Sequence, residues 1–246
     1  MEKNFANPNI RSDLGIIVGS AVAFAVVNQL FRLYKPWSGA TPSKTQWKLR
    51  NIATSMLHSC ITGIWSFTSF FLIDDLREDM VEGGSNFSYY LVALSIGYFI
   101  YDLFDMGINR LNLKSVELMG HHAVVVLCFG VAVFLRKFIG FPVFSLFVEV
   151  NSLFLHWRQI LRILGIPKNR PFYHVISLLN VSTFILFRLG TFVCLSYLHF
   201  SYSNRIPRIV NVTATICFVI AVIMNVVLLY RLVRSDFLTV KKKSND

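Results

Sequence analysis

Seven stretches of the chain are apolar over the length that an α-helix needs to cross a bilayer, about 20 residues. They cover residues 14–33, 52–73, 89–106, 116–135, 138–155, 175–198 and 210–232. Only 15% of the 246 residues are charged, whereas soluble domains carry about 25%. Backbone polar groups inside lipid must bond to one another, which helices achieve within one segment. The sequence therefore predicts an all-α membrane protein with seven transmembrane helices.

The spacing of these stretches predicts a single membrane domain. Only Arg136 and Lys137 separate the fourth stretch from the fifth, which indicates a tight hairpin. The fifth stretch is the weakest, because it contains Pro142 and Glu149. We expect an N-terminal helix with its cytoplasmic link over 1–40, the main domain over 41–238, and a basic tail over 239–246.

The net charge of +11 has two interpretations. It can indicate nucleic-acid binding, or it can come from basic cytoplasmic loops of a membrane protein. Most of the 24 Lys and Arg fall on one side of the predicted spans, which favours loops and no nucleic-acid partner. That side is cytoplasmic by the positive-inside rule, so the N-terminus faces out and the C-terminus faces in. The tail lysines lie one place too far from the end for a dilysine retrieval signal, which favours the plasma membrane over the endoplasmic reticulum.

The predicted outer side carries an acidic loop over 74–79 and a glycosylation sequon, Asn86-Phe87-Ser88. Because the sequon is close to a predicted membrane surface, its use is left open. The first apolar stretch can also be read as a cleaved signal peptide. Its leading segment has few basic residues and carries Asp13 at the apolar boundary, which favours an uncleaved anchor.

Two site classes find little support in the motifs. The four cysteines lie in apolar segments without metal-ligand spacing, and the HxxxH and HExxH patterns are absent, so no metal site is predicted. A Ser-His-Asp hydrolase is disfavoured because the chain has no GxSxG elbow.

Ionisable side chains inside the predicted spans are the main functional signal, since each costs about 2.5–3.5 kcal/mol at a bilayer centre. Asp102 and Asp105 are three residues apart, which places both on one helix face. Glu117 precedes His121 by one turn, close enough to hydrogen-bond it. The adjacent His121 and His122 point about 100° apart, so only one faces a given point squarely.

Other spans add His58, Glu149, Asn151 and Arg188, for which Asp102 or Glu149 is the expected counter-ion. Structural alternatives stay open. Asp105 and Glu117 can be helix-end groups reaching water, His58 can be a packing residue, and Arg188 can be an ion-pair partner alone. Taken together, the groups predict a polar cavity inside the bundle.

In several segments the chain resembles the TLC-domain family of membrane proteins, which includes ceramide synthases and the translocon-associated TRAM proteins. The segments are 47–65 with His58, Gly97-Tyr98-Phe99-Ile100-Tyr101-Asp102, Glu117-Leu118-Met119-Gly120-His121-His122, Glu149-Val150-Asn151, Phe187-Arg188-Leu189 and Leu232-Val233-Arg234-Ser235-Asp236-Phe237. The resemblance implies that helices two to seven form a six-helix bundle around a central cavity open to lipid, with the first helix outside.

The resemblance also implies a chemistry. In ceramide synthases the His-His pair lies where an acyl group passes from acyl-CoA to a sphingoid amine. His121 and His122 would then be candidate bases or acyl acceptors, with acyl-CoA as a substrate and no cofactor. The region around Glu149 lacks the further histidine and aspartates of that signature, which argues against ceramide synthesis.

Within the family the chain is most similar to the calfacilitin-like subgroup. That likeness implies a regulator of phospholipid acyl composition and fluidity, which limits incorporation of long polyunsaturated chains and so promotes membrane rigidity. Its partners would be membrane lipids and fatty-acyl chains. The alternatives are an acyl-CoA-dependent lipid or sphingoid N-acyltransferase and a channel or transporter accessory subunit. Catalytic turnover is left open.

Overall fold

Helices account for nearly all of the chain that the computed structural model describes, which is residues 10–34, 43–109 and 112–235. The basic tail predicted over 239–246 and much of the link before 41 lie outside these ranges. The helices are α1 (Ile10–Tyr34), α2 (Ser43–Leu72), α3 (Asp74–Glu78), α4 (Asn86–Asn109), α5 (Leu113–Leu135), α6 (Gly140–Ser145), α7 (Val148–Ile163), α8 (Pro171–Thr183), α9 (Gly190–Tyr202) and α10 (Arg208–Val233). A π-helix, Phe184–Leu189, joins α8 to α9.

Within the residues that the structure describes, five helical segments are long and apolar enough to cross a membrane. They are α1 from Asp13, α4, α5 from Ser115, the run from Pro171 to Arg205, and α10. The other two predicted spans correspond to α2 and to α6 with α7. α2 is less apolar because its buried face carries polar groups such as Thr54, Ser55 and Thr62. The protein is thus a multi-pass membrane protein, and the count of seven stays a prediction.

Three buried hydroxyls of α2 are satisfied inside their own helix. Thr54, Ser55 and Thr62 each donate to the carbonyl four residues earlier, at 2.8–3.0 Å. This bonding removes the cost of burying a hydroxyl in an apolar surrounding. Other polar residues on the buried face of α2, such as Asn51 and Ser59, bond to other helices instead.

The chain reverses direction between α5 and α6, at the position predicted for the hairpin. Arg136 and Phe138 both adopt left-handed backbone conformations, with φ of 50° and 64°. The Phe138 N–H donates to the Val81 carbonyl at 2.6 Å, which fixes the turn against the loop after α3. The predicted fifth span is interrupted after Ser145, and α7 then continues past the expected end at 155 to Ile163.

α1 packs along α4, and α2 packs along both α4 and α7. Gly97 permits the first contact, because a Cβ there would lie 2.3 Å from the Ile17 carbonyl oxygen. The Ser20 hydroxyl donates to the Leu94 carbonyl at 2.7 Å in the same contact. No described residue of α1 lines the cavities between the other helices.

Candidate functional site

Two cavities meet in the middle of the helices. The polar cavity, of about 500 Å³, runs to the helix ends that carry Trp47, Asn112 and Arg231. The apolar cavity, of about 320 Å³, extends towards the opposite ends, between α5, α9 and α10. Six residues line both cavities and are here called the shared wall: Phe99, His121, Val148, Glu149, Arg188 and Asn225.

Asp102 and Asp105 lie on one face of α4, and α2 holds both. Asn51 donates its side-chain amide to Asp102 Oδ1 at 2.6 Å and to Asp105 Oδ2 at 3.1 Å. The Trp47 indole N–H adds a 3.0 Å bond to Asp105 Oδ2. Asp102 lines the polar cavity, whereas Asp105 lies behind it.

The two adjacent histidines have different positions. His122 Nδ1 lies 3.2 Å from Asp102 Oδ2, a close approach without a linear hydrogen bond. His121 belongs to the shared wall, and its Nδ1 has no hydrogen-bond partner. A carboxylate beside one imidazole nitrogen orients the ring. The pair can therefore supply an oriented proton-transfer group and a second, accessible imidazole.

Glu149 and Arg188 both reach the shared wall, but they are not an ion pair in direct contact. Glu149 Oε2 accepts a 2.5 Å bond from Ser59. The Arg188 guanidinium donates to Asn151 Oδ1 at 2.6 Å, Asn225 Oδ1 at 2.8 Å and Ser152 Oγ at 2.7 Å. The expected carboxylate partner of Arg188 is thus replaced by neutral oxygens, because Asp102 is engaged by α2 and α5.

The π-helix aims Arg188 inward, since its wider turn shifts the side-chain direction relative to α8 and α9. Asn151 fixes the acceptor side of this network. Its amide nitrogen donates to Asn180 O at 2.8 Å and to Thr183 Oγ1 at 3.0 Å, which leaves Oδ1 for Arg188. Asn151 therefore lies behind the wall and positions Arg188 instead of facing a cavity.

Two expectations for the polar groups are wrong. Glu117 does not bond to His121, because its Oε2 accepts from Arg231 of α10 at 2.9 Å at the mouth of the polar cavity. His58 lines neither cavity. The residue is 1% exposed, and its ring centroid lies 3.8 Å from that of Tyr98 in a stacked arrangement. The ring also packs edge-on against Phe24 and Phe99.

The predicted sequon is folded into the start of α4. Asn86 is half-buried as the first helical residue, and Ser88 is fully buried with its hydroxyl bonded to the Ser85 carbonyl at 2.9 Å. Glycosylation of Asn86 stays a prediction. Within the described ranges, no group of three or more His, Cys, Asp or Glu side chains is placed to hold a metal ion.

The residues of the site that lie outside the sequence-based prediction include Asn51, His156 and Asn225. His156 lines the polar cavity one turn after Ser152, beyond the end expected for its span. Asn225 is a lone polar residue in the apolar middle of α10, a signal that was available. Asn51 precedes the expected start of α2 by one residue and shares a helix face with Ser55.

Comparison with known proteins gives matches to one family over most of the chain. The family model of the TLC domain matches residues 48–234. TLC domain-containing protein 2 of Danio rerio is 41% identical over 93% of this chain and 92% of its own length. TLC domain-containing protein 2 of Homo sapiens is 31% identical over 85% of this chain and 78% of its own length. TLC domain-containing protein 1 of Mus musculus is 27% identical over 90% of this chain and 89% of its own length. No solved structure matches the chain.

Proposed function

The chain belongs to the TLC-domain family of membrane proteins, and from this premise we propose that it handles membrane lipids and thereby controls phospholipid acyl composition. An acyl chain would occupy the apolar cavity, and the polar end of the lipid would meet the shared wall. The observation that carries this proposal is the junction of the two cavities at His121, Glu149 and Arg188.

The energetics indicate where selectivity would arise. An acyl chain gains little by leaving the bilayer for the apolar cavity, since both surroundings are apolar. Discrimination between lipids then depends on cavity shape and on the polar groups of the shared wall. Shape is the property in which long polyunsaturated chains differ from saturated ones. We propose that the protein limits their incorporation into phospholipids and so favours a more rigid membrane.

Lipid analysis of cells that lack the protein tests this proposal. The fraction of phospholipid with long polyunsaturated chains should rise on deletion and return with the wild-type protein. His121→Ala should fail to restore it, whereas His174→Ala, at an exposed histidine on α8, should restore it fully. An unchanged lipid profile on deletion, or equal rescue by His121→Ala and His174→Ala at equal expression, would contradict the proposal.

A second candidate is acyl transfer from acyl-CoA, favoured by the approach of His122 to Asp102. An imidazole nitrogen of His121 would attack the thioester carbonyl, forming an acyl-imidazole and releasing the CoA thiolate. A lipid hydroxyl or amine would then attack the acyl-imidazole, losing its proton to His122 and regenerating His121. Each step conserves the acyl group and needs no oxidant or reductant.

Purified protein mixed with radiolabelled acyl-CoA and quenched in denaturant distinguishes this candidate. Label should remain on the protein, disappear in His121→Ala and persist in His174→Ala. Absence of both labelled protein and acylated lipid product would exclude transfer, while acyl-chain regulation by binding would stand.

We also propose that α2 and the α6–α7 pair cross the bilayer, which gives seven passes with the second to seventh around the paired cavities. The N-terminus would face out and the C-terminus would face the cytoplasm, at the plasma membrane. The excess of basic residues at the ends near Lys48, Arg158 and Arg234 supports this orientation. Epitope tags on the two termini of the protein can be probed with antibody added to intact cells. Only the N-terminal tag should be accessible. An accessible C-terminal tag would reverse the assignment.

A further inference from the structure

We propose that Arg188 is the receptor for a carboxylate, so that the lipid held at the shared wall is a non-esterified fatty acid. This inference rests on the proposed lipid-handling function and names its ligand class. The carboxylate would lie between the Arg188 guanidinium and the His121 ring, with the chain in the apolar cavity.

The first support is the burial of Arg188 without a contacting anion. The residue is 8% exposed, and it lines both cavities. Its three hydrogen bonds end on the neutral oxygens of Asn151, Asn225 and Ser152. No carboxylate among the described residues lies within ion-pair distance of the guanidinium.

The second support is that these bonds leave donors unused. A guanidinium has five N–H groups, and the three hydrogen bonds occupy three of them. The two that remain match the two oxygens of a carboxylate, the partner that arginine binds best. The three neutral acceptors come from α7 and α10, so the guanidinium is held in place before a ligand arrives.

The third support is the pair of ionisable side chains that share the wall with Arg188. His121 Nδ1 is buried without a hydrogen-bond partner on the same wall, and it can donate to a second oxygen. Glu149 is the one acidic side chain of the shared wall. The negative charge of Glu149 repels an anionic ligand, but its Oε2 accepts a hydrogen bond from Ser59 on α2. The buried cation therefore has space on its cavity side for a second negative group.

The position of the wall favours a carboxylate over other lipid groups. A thioester or carboxylic ester is neutral and brings no negative charge to Arg188. A phospholipid phosphate carries its glycerol and head group on either side, whereas one side of Arg188 opens into a cavity lined by Val125, Phe129 and Phe192. A single chain ending in a charged group fits that asymmetry.

Binding of radiolabelled oleate and methyl oleate to the full-length protein in nanodiscs tests this assignment. The two probes share a chain and differ in charge. The wild-type protein should prefer oleate by at least about tenfold, the worth of one charge-assisted hydrogen bond. Arg188→Gln should lose the preference yet still bind methyl oleate, which also shows that the variant is folded. Arg208→Gln, at an exposed arginine of α10, should keep the preference.

Glu149→Gln gives an independent measurement with the opposite sign. Removing the one carboxylate of the wall should strengthen oleate binding while leaving methyl oleate binding unchanged. Equal binding of both probes by the wild-type protein, or weaker oleate binding by Glu149→Gln, would overturn the carboxylate receptor and leave the lipid-handling function standing. Binding of neither probe would overturn both.

Discussion

Asn51 on α2 donates a 2.6 Å hydrogen bond to Oδ1 of Asp102 on α4. The same amide nitrogen lies 3.1 Å from Asp105 Oδ2, so one residue supports two carboxylates a helix turn apart. Asp102 is only 2% exposed. A buried carboxylate needs donors to offset its lost hydration, and Asn51 therefore links the position of α2 to the charge that faces His122.

Replacing this donor should destabilise the protein. Asn51→Leu removes a bond to a buried charged group and should lower the free energy of unfolding by about 1–3 kcal/mol. Thermal unfolding of the detergent-solubilised protein measures the change. Asn109→Leu provides the control, because Asn109 also bonds Asp105 but is exposed. An equal loss in both variants would show that the Asn51 bond to Asp102 has no special weight.

The helical architecture is predictable from sequence, because apolar length is a local signal. The cost of intramembrane charge singles out Asp102, His121, His122 and Glu149, which all line the polar cavity. The partners of the polar side chains are not predictable in this way. The sequence indicates a carboxylate partner for Arg188, but the π-helix turns it towards Asn151 and Asn225, and no periodicity rule anticipates a π-helix. Helix spacing places Glu117 within reach of His121, but Arg231, distant in sequence, packs beside it.

His58 is predicted to act through packing. The ring stacks on Tyr98 and reaches neither cavity, so His58→Phe should keep both the stack and the lipid phenotype. His58→Ala leaves a void and should cost about 2–4 kcal/mol of stability, as for other large-to-small core changes. Unfolding temperature and lipid rescue should be measured for both variants. Loss of rescue in a stable His58→Phe protein would assign His58 a chemical role.

Gly97 sets the distance between α1 and α4. Gly97→Leu should separate these helices, because even a Cβ would lie 2.3 Å from the Ile17 carbonyl oxygen. We expect a lower unfolding temperature and loss of a disulfide engineered between Ser20→Cys and Leu94→Cys. Gly120→Leu, where nothing lies within 4 Å of the added Cβ, is the control. Retained cross-linking in Gly97→Leu would contradict the close packing.

The ion pair between Asp79 and Arg205 predicts acid sensitivity outside the membrane-spanning segments. Partial burial acts to raise the pKa of Asp79, but hydrogen bonds from Arg205 and from two backbone N–H groups outweigh it. The pKa is therefore held below the ordinary 3.8. A carboxyl with a lowered pKa adds stability that is complete above its unfolded value and is lost as pH falls through its folded value.

Asp79→Asn should remove that contribution. At pH 7 the loss should be small, up to about 1 kcal/mol for a partly exposed pair. As pH falls below about 4, the wild-type protein should lose its advantage and the two unfolding temperatures should converge. Asp74→Asn, in an exposed pair within α3, controls for the change of charge. A constant difference across the titration would show that the Asp79 pKa is not lowered.

Asp13 and Arg136 join the start of α1 to the end of α5 through a 2.7 Å bond. Asp13 is 3% exposed, and the Arg136 guanidinium also lies 4.6 Å from the centre of the Tyr89 ring. Removing one member of a buried pair deprives the other of its counter-charge, so Arg136→Leu should cost about 3 kcal/mol. Adding Asp13→Asn to Arg136→Leu removes the remaining charge and should recover a large part of the loss in thermal unfolding. A double variant as unstable as the sum of the two single variants would show that the two charges do not interact.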